Sequence, residues 1–453
     1  MSEDERDRNE GLTDAFERSG MSQGDLARRV TARARRFGLR HVNPDASSVR
    51  RWLQGTKPRD PLPRLIADVF SERFGHRVTT YDLGFGSPPD LDRPLTYSPS
   101  FTETVESVTE LGRADMDRRK FLAAAPFAAA AGVGPSRDWL LTALDQEPKP
   151  GPRVRLEDVT EVRNMFARFQ EIDVMQGGGS GRLLLTKYMN AHVYPLLRRT
   201  HAEDVRRALC GAAAEQTYLL GWMAFDSGEH GTAQRYLIQA LRLAEESEDV
   251  RLGAHVLAGM ADQTTVLGNP AEGRKIAQAG RQGLRGSDSP ACLADLWALE
   301  ARALAALGDS VGTARAIASS EREFARVDRD AEPEWARFID GAYLHGEYAT
   351  AFRDLGQAAP CAEHARRSIG YARTQNRARR GAMSHAILTV SHLDGGDLES
   401  AHSTGLRTLE LARQVKSSRC TDAVRDVQRR LIPFGRHPLV ADFNERARSV
   451  VAA

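Results

Sequence analysis

Five glycines recur at nearly constant spacing along the C-terminal part of this 453-residue chain. The intervals are 40, 40, 48 and 40 residues, between Gly228, Gly268, Gly308, Gly356 and Gly396. A small residue stands five positions after each glycine, and another stands twelve positions after it. These residues are Ala233, Gly273, Thr313, Cys361 and Ala401 at the first position, and Ala240, Gly280, Ser320, Ser368 and Thr408 at the second. A period of this length predicts an array of helical repeats.

Packed helical hairpins explain this pattern physically. A glycine accepts the left-handed backbone conformation that ends a helix, and small residues let the next helix pack closely against the first. Each hairpin leaves an apolar face that only its neighbour can cover, so the hairpins stack into a superhelix. We therefore predict an all-α chain whose residues 151–453 form an α-solenoid. The eight extra residues before Gly356 fall around "VDRDAEPEW" and predict a loop insertion.

Residues 10–84 predict a separate bundle of short helices. Leu12, Ala15 and Phe16 share one face of a first helix, which Gly20 ends. Ser22, with an acidic residue three positions later, is typical of a capping box at the start of a second helix. Asp45 is a suitable N-cap for a third helix.

This N-terminal region carries a strong local excess of positive charge, although the whole chain has a net charge of only +2. Between Arg18 and Arg59, only two carboxylates, Asp25 and Asp45, oppose eleven basic side chains. The basic residues are Arg18, Arg28, Arg29, Arg33, Arg35, Arg36, Arg40, Arg50, Arg51, Lys57 and Arg59. Such an excess on a compact unit predicts a polyanionic partner, with a solvated basic face as the alternative.

The segments "SQGDLARRV" (22–30) and "DASSVRRWLQGTKPR" (45–59) resemble the helix-turn-helix of Xre/Cro-type repressors. The resemblance implies that Ala46, Ser47 and Arg51 face base edges in the major groove of double-stranded DNA, with Arg51 the main specificity residue. The full set of predicted DNA contacts is Ser22, Gln23, Ala46, Ser47, Ser48, Arg50, Arg51, Lys57 and Arg59. Among them, Ser22, Gln23, Arg50, Lys57 and Arg59 are expected on phosphates. Residues 22–44 are longer than the family pattern, which predicts either an extended second helix or a basic loop beside the DNA.

Residues 85–150 predict a linker followed by amphipathic and alanine-rich helices. Phe101, Val105, Val108 and Leu111 recur at helical spacing. The stretch "MDRRKFLAAAPFAAAAGVG" (116–134) has the pattern of a twin-arginine export signal, but it follows more than a hundred residues and contains Pro126. We therefore expect an inter-domain or dimer-contact helix here. No apolar run is long enough to cross a membrane. The scattered cysteines suit a reducing cytosol, so we expect a cytoplasmic protein.

The sequence lacks the patterns of a catalytic or cofactor site. "QGGGSGRLLLTKYMN" (176–190) matches neither a Walker loop nor an esterase nucleophile elbow, and it predicts a flexible hairpin between two helices. Four scattered cysteines fit neither a disulfide framework nor a zinc site, and we expect them to be buried apolar residues. We predict that the protein is not an enzyme and uses no cofactor or metal.

"LLGWMAFDSGEHGTAQRYLIQALRLA" (219–244) resembles a tetratricopeptide repeat, although the period of about 40 exceeds the family's 34. HEAT-like repeats remain an alternative label. With "MDRRKFLAAA" and the two helix-turn-helix segments, the chain resembles actinobacterial regulators that join such a DNA-binding domain to tetratricopeptide-like repeats. That resemblance implies a cytoplasmic transcription factor that influences differentiation or secondary metabolism.

We therefore expect a DNA-binding regulator whose repeat array forms a homodimer, senses a peptide, small molecule or protein partner, or does both. A two-fold operator would supply the affinity that one helix-turn-helix lacks. Candidate ligand-binding residues in the array are Asn190, His192, Gln216, His255, Gln263 and His385. The alternative is a repeat scaffold or anti-regulator that does not contact DNA.

Overall fold

The computed structural model describes residues 9–36, 42–59, 61–74, short pieces between 78 and 98, 100–115, 127, 135, 156–199, 201–284 and 289–451. Two compact units, residues 1–90 and 91–453, divide the chain. The described residues form helices and turns without a strand, which confirms the all-α prediction. None of the described helices combines the length and the apolar character needed to cross a bilayer. The alanine-rich part of residues 116–134 lies outside the described residues.

The described residues of the N-terminal unit form a bundle of four helices around one apolar core. Its helices are α1 (Glu10–Ser19), α2 (Gln23–Arg36), α3 (Ala46–Leu53) and α4 (Leu62–Phe74). The helix α1 ends where predicted, at Gly20 with a φ of 64°. The buried side chains that join the helices include Leu12, Leu26, Val30, Val49, Trp52, Ile66 and Phe70.

The second unit begins with helices that flank the repeat array. They are α5 (Phe101–Asp115), α6 (Leu156–Gln176) and α7 (Gly178–Tyr188), which continues through a π-helical turn (Met189–Val193) into α8 (Tyr194–Leu197). Gly177, with a φ of 85°, is the whole connection between α6 and α7. The predicted flexible hairpin was therefore wrong: the glycines pack tightly, and a Cβ on Gly178 would lie 2.6 Å from the Met223 carbonyl oxygen.

From residue 203 onward, the described residues form six antiparallel helical hairpins, and consecutive hairpins pack side by side as an α-solenoid. The hairpins are α9 (Glu203–Asp226) with α10 (His230–Glu246), α11 (Val250–Val266) with α12 (Pro270–Gly283), α13 (Pro290–Ala306) with α14 (Ser310–Phe324), α15 (Gly341–Asp354) with α16 (Ala358–Thr374), α17 (Ala378–Asp394) with α18 (Leu398–Ala412), and α19 (Ser418–Leu431) with α20 (Pro438–Val451). The α-solenoid prediction is thus confirmed.

The five periodic glycines occupy the turns inside these hairpins. Their φ angles lie between 69° and 82°, in the left-handed region that penalises a side chain. The ten small residues that stand five and twelve positions after these glycines are all buried at the contact between helices. Gly221 makes a further close approach, since a Cβ there would lie 3.3 Å from the Ala233 carbonyl oxygen. The four cysteines are also buried, as predicted.

The loop insertion before Gly356 connects α14 to α15 and is packed against the array. Glu332 is buried and accepts a hydrogen bond from the Ala291 backbone N–H at 3.0 Å, at the start of α13. Trp335, in a short 3-10 turn, stacks on His255 with ring centroids 4.9 Å apart. The insertion therefore contributes a helix cap and a core aromatic.

The array curls back so that its last hairpins contact its first helices. The Arg379 guanidinium on α17 bonds Asp173 of α6 at 2.7 Å and Asp226 of α9 at 2.9 Å. The Lys416 backbone N–H donates to the Gln176 carbonyl at 2.8 Å. Helices far apart in sequence thus enclose the inner side of the array.

We expect Gly268→Ala to destabilise the array by about 1–2 kcal/mol, because φ is 82° and alanine must adopt the left-handed conformation. A Cβ at this position meets no atom within 4 Å, so the cost is conformational. The measurement is the urea unfolding midpoint. Gly370→Ala is the matched control, because Gly370 lies inside α16 and its Cβ would also be unobstructed. The control should not destabilise, and an equal loss in both variants would contradict this explanation.

Candidate nucleic-acid interface

The third helix of the N-terminal unit begins at a fully formed cap. Asp45 Oδ1 accepts hydrogen bonds from the Ser48 backbone N–H at 2.8 Å and from the Ser48 hydroxyl at 2.7 Å. The Ser47 hydroxyl donates to the same carboxylate at 2.9 Å. These bonds, with those of Ser48 largest, lower the pKa of Asp45 to about 2. The cap therefore stays ionised in neutral solution and fixes the start of α3.

The start of α2 is the capping box that the sequence predicts. The Asp25 backbone N–H donates to Ser22 Oγ at 3.1 Å, and the Ser22 backbone N–H donates to the Asp25 carboxylate at 3.3 Å. The Ser22 hydroxyl also donates to Asp25 at 2.6 Å. The hydroxyl hydrogens of Ser22, Ser47 and Ser48 are thus all directed to carboxylates within the unit. Each must leave its carboxylate before it can donate to a phosphate.

One face of α3 is exposed while the other holds it in the core. Val49 and Trp52 are buried against the bundle. The side chains of Ala46, Ser47, Arg50 and Arg51 are exposed together on the opposite face, and Ser48 is half-buried. The predicted base-facing residues therefore share one accessible surface. Gln23, the first residue of α2, is half-buried.

The positive charge of this unit divides into paired and unpaired side chains. Arg18 pairs with Asp14, Arg28 with Asp25, and Arg33 with acidic residues of α4. Seven exposed cations of this unit have no carboxylate partner among the described residues: Arg29, Arg35, Arg50, Arg51, Lys57, Arg59 and Arg73, of which Arg73 donates to the Ser19 carbonyl at 3.0 Å. Within the described part of the unit, the only polar contact of the Arg51 guanidinium is Ser48 Oγ at 3.4 Å. The net positive field therefore arises from α2, from the exposed face of α3 and from the segment after α3.

The long second segment is helical as far as Arg36, and α2 has 14 residues. At 1.5 Å per residue it spans about 21 Å. The sequence left an extended second helix and a basic loop as alternatives for residues 22–44. Residues 23–36 form the extended helix, and residues 37–41 lie outside the described part. A groove runs between α2 and the start of α3, with Arg28, Arg35 and Ala46 on its walls. Arg29 and Arg35 therefore enlarge the surface beyond the predicted residues.

Three of the candidate ligand residues in the array are structural polar groups. Asn190 Nδ2 donates to the carbonyls of Gly112 and Thr186 at 2.9 Å, joining α5 to the π-helical turn. Gln216 is fully buried and donates to the Val162 carbonyl at 2.6 Å. Gln263 donates to the His230 carbonyl at 2.9 Å.

The three candidate histidines occupy separate places. His255 is buried against Tyr218, with ring centroids 4.2 Å apart, and burial lowers its pKa to about 3. His192 is exposed and packs on Tyr188. His385 is half-buried and lines a groove with Arg407. The six candidates therefore do not form one site.

The inner wall of the array was missed by sequence reasoning, although a signal for it exists. The residue six positions before each periodic glycine either lines this wall or forms an ion pair with a residue that lines it. They are Trp222, Asp262, Arg302, Thr350 and Val390. A mixture of charged, aromatic and apolar residues at one repeat position distinguishes an inner surface from a uniformly apolar helix contact.

The comparisons with known proteins concern the N-terminal unit. Residues 12–86 match the SP15 N-terminal domain family. The match includes most of α1 and all of α2, α3 and α4. No curated protein is significantly similar to the chain.

Proposed function

We propose that this protein is a cytoplasmic, sequence-specific DNA-binding regulator that acts as a homodimer. The observation that carries the proposal is the set of unpaired cations around the exposed face of α3. A solvated basic face needs no such concentration around one exposed helix. An exposed helix held by a buried Trp52 and an N-terminal cap is a rigid element of the size that enters a major groove.

The residues divide into two roles under this proposal. Arg51 recognises a guanine, because a guanidinium can donate two parallel hydrogen bonds to guanine O6 and N7. Arg50, Lys57 and Arg59 bind phosphates and set the register, and Arg29 and Arg35 extend this contact along α2. Ala46 supplies a methyl contact. Gln23, Ser22, Ser47 and Ser48 contribute weaker polar contacts.

The array is the regulatory part of the proposal, and the contacts of the described residues between 93 and 115 support it. The Gln239 side chain donates to the Pro94 carbonyl at 2.9 Å. At the other end, the buried Asp115 accepts from Arg182 and from the Tyr236 hydroxyl, each at 2.8 Å. The chain that leaves the DNA-binding unit is thus fastened to α10 and α7. A ligand that prefers one arrangement of these helices would shift the population that is competent for DNA.

We expect Lys57→Ala to weaken binding to all DNA sequences by a similar factor and to reduce the slope of log K against log salt by about one. The reason is that an exposed lysine on a phosphate releases counterions without contacting a base. Fluorescence anisotropy with a random duplex at several salt concentrations measures the effect.

Lys275→Ala is the matched control, because Lys275 is an exposed lysine on α12 of the array. The control should leave affinity and salt slope unchanged. If Lys57→Ala also left both unchanged, or if the unaltered protein bound no duplex, the scaffold alternative would replace the proposal.

A further inference from the structure

The inner side of the array encloses a cavity of about 550 Å³. The first helix of each of the six hairpins contributes to its wall, from Phe225 on α9 to Asp426 on α19. All lining residues belong to the second compact unit. The volume lies within the range of about 300–1,000 Å³ that is typical of small-molecule sites.

Two opposite kinds of wall meet at this cavity. Met383, Ala386, Ile387 and Val390 line it from α17, at the i, i+3, i+4 and i+7 positions of one helix face. The helix α19 instead contributes a charged face. The cavity therefore offers both an apolar surface and fixed charges, which suits an amphipathic molecule.

Unpartnered polar atoms identify where a ligand group belongs. Arg302 is only 8% exposed and lines the cavity. Its Nη1 bonds Asp262 and Glu347, but its buried Nε–H has no acceptor among the described residues. The Nδ1 atom of His230, on the same wall, is also buried without a partner. Buried polar atoms of this kind are nearly always hydrogen-bonded in proteins. The Arg302 Nε–H can only donate, so an acceptor is expected at this wall, whereas His230 Nδ1 can donate or accept.

The lining has a small excess of positive side chains, which favours an anion as that acceptor. Five arginines line the cavity against four carboxylates. We propose that the cavity binds a small organic anion, with its apolar body along α17 and its acidic group near Arg302. Its regulatory consequence rests on the proposed function, whereas the binding itself does not.

The test is a fluorescence titration of the full chain, without DNA, with 8-anilinonaphthalene-1-sulfonate. The neutral analogue N-phenyl-1-naphthylamine has the same apolar body and lacks the acidic group. We expect saturable binding of one sulfonate probe per chain and at least about tenfold weaker binding of the neutral analogue. Equal binding of the two probes, or no saturable site, would overturn the proposal.

Two variants locate the probe. Ala423→Trp places a large side chain in the cavity from α19, and Val266→Trp does so from the exposed end of α11. Each should weaken binding at least about tenfold. Val266 is exposed, so Val266→Trp does not disturb the core and still provides the test if Ala423→Trp does not fold. Ala441→Trp, at an exposed position of α20, is the control and should bind as the unaltered chain does. Unchanged affinity in both cavity variants would overturn the assignment. These titrations contain no DNA. They therefore test the cavity even if the protein proves not to bind DNA.

Discussion

Replacement of Arg379 by methionine is expected to destabilise the repeat array by about 3–5 kcal/mol. The guanidinium bonds Asp173 and Asp226, and both carboxylates are buried. Removing it leaves two buried carboxylates without the guanidinium that bonds them, in the contact that joins α17 to α6 and α9. The expected result is a large decrease in the urea midpoint of the full chain, followed by far-ultraviolet circular dichroism. Arg367→Met is the matched control, because that arginine forms an exposed pair with Glu363 and should cost under about 1 kcal/mol.

The pH dependence of this variant provides an independent check. Burial raises the pKa of Asp173, although Arg379 opposes the shift. Burial also acts to raise the pKa of Asp226, but the Arg379 and Arg419 guanidiniums outweigh it and hold that pKa below its ordinary value. In the intact protein, Asp226 therefore stabilises the fold above the unfolded-state pKa, and this contribution is lost as the pH falls through the folded-state pKa.

Without Arg379, both carboxylates protonate more readily, since burial then dominates their pKa values. The deficit of Arg379→Met should consequently be smaller near about pH 5 than near about pH 8. A deficit that is the same at both pH values would contradict the role of these buried charges. A deficit no larger than that of Arg367→Met would contradict the ion-pair contact itself.

Replacement of Arg51 by alanine is expected to reduce affinity for the preferred DNA site by about 1–3 kcal/mol, while affinity for random DNA falls much less. The guanidinium is exposed on α3, and its one polar contact within the described unit is the weak one to Ser48. It is therefore available for a bidentate contact with guanine. Anisotropy titrations with the selected site and with a shuffled duplex measure the two affinities.

Arg18→Ala is the control for Arg51→Ala, because Arg18 is an exposed arginine on α1 that pairs with Asp14. This control should change neither affinity appreciably. Equal losses on the selected and shuffled duplexes for Arg51→Ala would assign Arg51 to the phosphate backbone. No loss on either duplex would remove α3 from the interface.

The local features of this fold could be predicted because their causes lie within a few residues in sequence. Five glycines at the hairpin turns, the Ser22–Asp25 capping box and the Asp45 cap each depend on neighbouring backbone groups. The buried small residues followed from the repeat period. Such features need no knowledge of how distant helices meet.

The long-range contacts could not be predicted in the same way. Arg379 and Asp173 are separated by 206 residues, and an arginine at the start of a repeat helix resembles any solvent-exposed arginine in sequence. The ligand candidates failed for a related reason. Gln216 and His255 are polar residues whose partners or aromatic neighbours come from other elements. In the N-terminal unit, the charge excess predicted a basic surface. Only the structure distinguished Arg33, which pairs with α4, from Arg35, which has no carboxylate partner in the described part of the unit.

Selection of bound fragments from the organism's own sheared DNA, with the purified full-length protein at physiological salt, decides whether this chain recognises a DNA sequence. We expect recovery of a shared motif made of two inverted half-sites, as a homodimer with one α3 per half-site requires. We also expect that Arg51→Ala no longer enriches that motif. Recovery of fragments at their input frequencies, with no shared motif, would contradict sequence-specific recognition by this chain.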